Sequence, residues 1–379
     1  MKAAAPGAVT DGLAALLREE PVAWASLGVE PAAFVAACRE QDLTGLVHRQ
    51  LARQPAADWP GSVREELERE ARAEVVREAL RRRELLAALG ALAGAGIRPI
   101  LLKGTPLAYT VYEEPSLRPR SDTDLLVRRS EREAVQEVMG ARGYRATNLS
   151  GGDFLFHQFE LAKDDALGVS HALDFHWKIS AESVFADLLD FEELAAESVP
   201  IPALGPGACG ADPVHALLLA CVHPVMHHRS WERLIWLYDI HRLASRLSPG
   251  EWDAFAALAV RRRVAAVCTR ELGLARTRLA TRLPRGPLEA LAAARREAEP
   301  SAAYLEPGRR WSDELRSNLG GLPRWRDRLR LLREVAFPAP AYMRRAYRLE
   351  GIAAASALLP ALYVHRGLRG LWKVLLGRK

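Results

Sequence analysis

Two aspartates one residue apart, Asp122 and Asp124, lie in the run Arg118-Pro119-Arg120-Ser121-Asp122-Thr123-Asp124-Leu125-Leu126-Val127. Upstream, an apolar stretch ends in Leu101-Leu102-Lys103-Gly104-Thr105. In a strand, residues i and i+2 point to the same face. The two carboxylates therefore present their charge to one spot and repel each other unless a cation sits between them. Carboxylate oxygens and substrate phosphates are the usual ligands of Mg²⁺. The arrangement reads as a site for Mg²⁺, or Mn²⁺ in its place, serving phosphoryl or nucleotidyl transfer. The alternative is an Asp pair at a strand edge or helix start, since Asp-x-Asp alone is common.

Such a transfer needs neutralised phosphates, donors that hold their oxygens, and a base for the attacking group. Gly104 lets backbone approach a phosphate, and a helix starting there offers unpaired N–H groups. Thr105 can donate its hydroxyl. A plain helix cap would use the same residues. Lys103, Arg118 and Arg120 can add positive charge or be ordinary surface cations. Further on, Asp174 and His176 lie two apart in Ala172-Leu173-Asp174-Phe175-His176-Trp177 and would share a strand face. A buried structural Asp–His pair is the other reading.

These elements resemble the nucleotidyltransferase superfamily with its polymerase-beta-like fold, whose signature is a Gly-Ser or similar pair followed by Asp-x-Asp. They are closer to an uncharacterised bacterial branch with Lys-Gly, then Arg-Pro-x-Ser-Asp-x-Asp-Leu-Leu-Val, then Asp-x-His-Trp. Here these are Lys103-Gly104, Arg118 to Val127, and Asp174 to Trp177. The resemblance runs over about residues 80 to 245. Thr105 replaces the usual Ser, and the Gly-to-Asp spacing is longer than in the familiar members. The resemblance implies that Asp174, on a neighbouring strand, joins Asp122 and Asp124 at the metal and helps deprotonate the acceptor hydroxyl. It also implies a nucleoside triphosphate donor, with ATP the first choice.

Four histidines follow Asp212: His215, His223, His227 and His228. His223 and His227 are four apart and share a helical face. The Glu that would complete a zinc protease motif is replaced by Pro224. Core packing or contacts at a cleft wall therefore fit better than metal. The resembled branch has a comparable helix lining the substrate side, which makes His176, His223 and His227 the acceptor-side candidates.

Other chemistries lack their motifs. There is no Gly-x-x-x-x-Gly-Lys-Ser/Thr and no Gly-x-Ser-x-Gly. Cys38, Cys209, Cys221 and Cys268 are widely spaced, which argues against a disulfide framework and suits a reducing cytoplasm. The start of the chain lacks a signal-peptide core, and the longest apolar run, Ile352 to Val364, is too short to span a bilayer. Net charge is +6, yet Pro323 to Lys379 alone carries +10. That basic tail can attract nucleic acid, anionic lipid or an acidic partner, but a solvated helical face is the simpler reading. Nucleic acid is not the favoured partner.

The chain reads as α+β: a small mixed sheet core flanked by N-terminal helices and a large C-terminal helical region. The expected division is 1–92 helical, 93–200 catalytic core, and 211–379 helical with the basic tail. Ser62, with Glu65 three residues on, predicts a capping box opening a long helix to about Leu92. Strands are expected at Ile97–Leu102, Asp122–Val127, Tyr144–Asn148, Phe154–Ala162 and Val169–Trp177. Helices are expected at Thr105–Tyr112 and at Ser130–Arg142, with Ser130 as cap. Residues 200 to 210, rich in Gly and Pro, read as a loop. The expected activity is Mg²⁺-dependent transfer of a nucleoside monophosphate to a hydroxyl of a small molecule or modified peptide. The alternatives are a silent nucleotide-binding partner protein and an RNA-directed transferase.

Overall fold

The apolar run before Lys103 becomes an inner strand because neighbours cover both of its edges and both of its faces. The computed structural model describes residues 7–54, 58–147, 157–228, 231–294, 299–306, 308–309, 311–322, 324–349 and 355–375. Strand β1 (Ile100–Leu102) pairs antiparallel with β2 (Asp122–Leu126) and parallel with β7 (Cys209–Gly210). β2 pairs parallel with β5 (Ser170–His176), which pairs antiparallel with β4 (Gln158–Asp164). β3 (Arg145–Ala146) and β6 (Val199–Pro200) complete a seven-stranded mixed sheet of order β3-β4-β5-β2-β1-β7-β6. The fold is α+β, as the element order predicts.

One sheet face is largely apolar. Leu101, Leu125, Phe159, Leu161, Leu173 and Phe175 alternate onto it. The C-terminal half of α4 (Gly61–Gly94) covers this face with Leu85, Leu89 and Leu92, and α6 (Arg132–Ala141) adds Val135 and Met139. Burying each such side chain stabilises the fold by roughly 1.5–3 kcal/mol. At 34 residues, α4 is about 50 Å long, and its other end packs Val63 and Leu67 into a second core.

That second core lies on the opposite sheet face. It joins Ile100, Leu102 and Leu126 to α1 (Gly7–Leu17), α2 (Pro31–Glu40), α3 (Thr44–Arg53) and a C-terminal helical layer. The layer comprises α9 (Pro213–His228), α10 (Leu234–Ala244), α11 (Pro249–Arg261), α12 (Ala265–Leu279) and α13 (Arg285–Ala294). Between the sheet strands run α5 (Gly104–Thr110), α7 (Ser183–Ala186) and α8 (Phe191–Ala196). Beyond α13 come α14 (Trp311–Gly321), α15 (Trp325–Ala336), α16 (Pro340–Ala346) and α17 (Ala355–Leu375). Among the described residues, no helix is long and apolar enough to cross a membrane.

Several local expectations change. α4 starts at Gly61 after Pro60, whose carbonyl accepts from Val63 N–H at 3.1 Å, and no side chain caps it. Ser62 is therefore inside the helix. Ser130 lies in a 3₁₀ turn, Arg129–Glu131, where Glu131 caps Arg128 N–H at 2.8 Å. The stretch 200–210 is more than a loop, because Cys209–Gly210 extends the sheet beside β1. A two-residue strand leaves no readable alternation. The expected strand beginning at Phe154 starts at Gln158; residues 154–156 and 148 lie outside the described residues. All four cysteines are free thiols.

Candidate active site

The pleat of β2 places Asp122 and Asp124 on one face, with Thr123 and Leu125 on the other. The parallel register with β5 sets Asp124 opposite Asp174 and Leu126 opposite His176. The hairpin joining β4 to β5 fixes the next layer. Its turn is held by Asp165, whose carboxylate accepts from Leu167 N–H at 2.8 Å and Val169 N–H at 3.0 Å. Gly168 there has φ +75°, a conformation that favours glycine. The resulting register sets Glu160 opposite Asp174 and Gln158 opposite His176. Four carboxylates thus line one sheet face on three adjacent strands.

Asp124 is the most constrained of them. Lys103 Nζ lies 2.6 Å from its Oδ1, and His176 Nε2 lies 2.8 Å from the same oxygen. Burial opposes its charge, but the Lys103 ammonium and the His176 hydrogen bond outweigh that and hold Asp124 well below the usual carboxylate range. His176 is itself pushed down, chiefly by burial, with the nearby Lys103 charge adding to it. Asp122 is raised by burial and then by the Asp124 charge. Asp174 is pushed up to about 7, by burial first and then by the charges of Asp124, Asp122 and Glu160.

This face fits a divalent cation. Asp124, Asp174 and His176 each bring a ligand atom to within 4.8 Å of the others. Asp174 Oδ1 is buried and has no hydrogen-bond partner among the described residues. Gln158 Nε2 reaches only Oδ2, at 3.4 Å. An orphaned carboxylate oxygen among like charges is costly unless a cation serves it.

Lys103 follows β1 and caps α5 with φ +55° and ψ −129°. For a lysine this backbone costs about 1–3 kcal/mol. The strain is retained where the side chain meets Asp124. Gly104 follows, and a Cβ there would sit 3.3 Å from the guanidinium of Arg118.

The remaining expected phosphate ligands turn elsewhere. Arg118 is buried, and donates to Asp239 on α10 at 2.8–2.9 Å and to Pro119 O at 2.9 Å. Arg120 is buried and forks onto Glu78 of α4 at 2.6 and 3.0 Å. Thr105 is 1% exposed, with its hydroxyl 3.5 Å from that of Thr123, on the face away from the carboxylates. These residues anchor the Lys103–Gly104 turn and the helices around it. Polar side chains so deeply buried need fixed partners, which the local sequence does not reveal.

The His-rich helix borders the site. His228 stacks on Trp236 with ring centroids 4.3 Å apart, and His223 meets the same indole edge-on at 5.2 Å. His228 is pushed down to about 4, by burial and then by the Lys103 charge. His215 instead pairs with Asp212 at the start of α9. The side chain of His227 lies outside the described residues.

Glu160 and Gln158 are missing from the expected set. Their two-residue spacing on a strand was the available signal, blurred by the irregular alternation of residues 154–159.

A comparison with curated proteins gives no match. A family described as uncharacterised nucleotidyltransferase matches residues 28–298, a span that holds every strand of the sheet and helices α2 to α13. With the carboxylate face and the Lys103–Gly104 turn inside that span, the chain belongs to this nucleotidyltransferase family.

Proposed function

We propose that this protein transfers a nucleoside monophosphate from a nucleoside triphosphate, with ATP as the first choice, to a hydroxyl of a small molecule or modified peptide, using Mg²⁺. The observation that carries this reading is the Asp124–Asp174 pairing across β2 and β5, with Asp122 one pleat away and the Lys103–Gly104 turn beside it. Asp122, Asp124 and Asp174 would hold the ion, an all-oxygen set of the kind Mg²⁺ prefers. When bound, Mg²⁺ neutralises the triphosphate and withdraws charge from the phosphorus under attack.

The chain's own groups do the rest. Lys103 adds positive charge at the phosphates, and the Gly104 backbone allows their close approach. His176 positions Asp124 through its hydrogen bond. Asp174 accepts the proton of the acceptor hydroxyl as its oxygen bonds to the α-phosphorus. The bond to pyrophosphate then breaks, and pyrophosphate leaves with its electron pair.

The test is calorimetry of triphosphate binding with Mg²⁺ and with EDTA, in wild type and in Asp122→Asn plus Asp124→Asn. Both substitutions keep shape and remove charge. The expected result is tight binding only for wild type with Mg²⁺. Equal affinity in all four titrations would reject the metal site.

A further inference from the structure

Beside the carboxylates, on the same sheet face, lies a cavity of about 190 Å³. The carboxylates stand over β2 and β5, and the cavity stands over β1, β7 and β6, reaching under α9 and α10. Lys103 belongs to both: its side chain pairs with Asp124, and the residue lines the cavity. The cavity wall is largely aliphatic, with Leu102, Leu107, Ile201, Leu219 and Leu243 among its lining. Ala216 and Ala220, one turn apart on α9, are only half-buried and line it too.

The charged side chains of its lining are already engaged. Arg118 and Asp239 satisfy each other, and Arg246 donates to Thr110 O at 2.9 Å. A nucleobase edge needs several convergent donors and acceptors, whereas most of this wall is aliphatic. An apolar group needs none. A cavity of roughly 150 Å³ lined by aliphatic and aromatic side chains accommodates benzene. The space here therefore suits a single aromatic ring with a short extension, or an alkyl group of similar bulk.

We propose that the acceptor is an aryl or alkyl alcohol whose apolar group fills this cavity, its hydroxyl emerging past Lys103 toward Asp174. This deepens the transferase reading and rests on it. His223, at the edge of Trp236, walls the cavity on the α9 side. Specificity then comes from apolar volume, and the hydroxyl is placed by the length of the group beneath it.

The probe is a series of primary alcohols from ethanol through butanol and hexanol to 2-phenylethanol. Binding is measured by calorimetry and thermal shift in EDTA, with no nucleotide present. The expected result is saturable binding whose affinity rises about fourfold per buried methylene. Ala216→Phe, which fills the cavity, is expected to abolish that binding and leave Mg²⁺-dependent triphosphate binding in place. Should that variant not fold, the wild-type series decides alone. Affinity that is flat along the series overturns the proposal. So does displacement of 2-phenylethanol by adenosine, which would make the cavity a base pocket. Because the alcohols are tested without metal or nucleotide, their failure is separate from a failure of the triphosphate titration.

Discussion

Asp174 stands directly opposite Asp124 across the parallel ladder of β2 and β5, and its Oδ1 is buried without a hydrogen-bond partner among the described residues. The two carboxylates differ sharply. Asp124 is held ionised by Lys103 and His176, while Asp174 is pushed up to about 7 by burial and by its acidic neighbours. Asp124 is the firmer holder of a cation, and Asp174 has an oxygen left over to take a proton.

From this follows a split between rate and binding. Asp174→Asn is expected to slow turnover by about 10² to 10⁴, the usual cost of a lost general base. Triphosphate affinity should change far less, because Asp122 and Asp124 remain to hold the ion. Single-turnover triphosphate hydrolysis, read beside calorimetry, measures both. Unchanged turnover would make Asp174 structural, and an equal loss of both would place it in the metal shell alone.

The Arg118–Asp239 pair ties the segment before β2 to α10. Both side chains are under 10% exposed, at 8% and 6%. Asp239→Asn should destabilise the fold by about 3–5 kcal/mol, because it leaves a buried guanidinium uncompensated. Adding Arg118→Met should recover part of the loss. Urea unfolding of the wild type, both single variants and the double variant closes the cycle; additive losses would mean the two groups do not couple.

Gly210 is required by close packing. A Cβ there would lie 2.8 Å from Pro106 Cβ and 3.2 Å from Ile201 Cδ1. Pro106 cannot rotate away, so Gly210→Ala should cost roughly 1–3 kcal/mol, as overpacked sites do. The midpoint of chemical denaturation reads this directly. An unshifted midpoint would show that β7 moves freely against α5.

Glu271 on α12 offers a stability test that is independent of the active site. Burial pushes it up to about 7 from the ordinary 4.5, against the opposing pull of Arg270. The folded protein then holds a proton that the unfolded chain has released. Stability should be fully present below about pH 4.5 and fall as pH rises toward 7. The slope for one such group is at most about 1.4 kcal/mol per pH unit. Glu271→Gln should flatten this part of the profile; an identical slope in the variant would assign it to other groups.

The local chain determined much of the layout of the candidate site. Two-residue spacing alone put Asp122 and Asp124 on one strand face, and the Asp174–His176 spacing did the same on the next strand. These are consequences of backbone pleat, which any strand obeys. The α+β order of elements followed from hydrophobic periodicity in the same way.

Tertiary structure decided which polar groups meet. In the sequence Arg118 and Arg120 read equally as phosphate ligands or as surface cations, yet Asp239 and Glu78, distant along the chain, draw both guanidiniums inward. Thr105 is buried because α5 packs it against β2. Glu160 joins the carboxylate face through the register of a hairpin whose partner strand was only partly legible. The apolar cavity has no sequence signature, since it forms where β1, β7, α5, α9 and α10 converge. Pleat and helical period act over a few residues and can be read along the chain. The pairing of a buried charge depends on which partner the whole fold brings within about 3 Å, and so only the folded chain decides it.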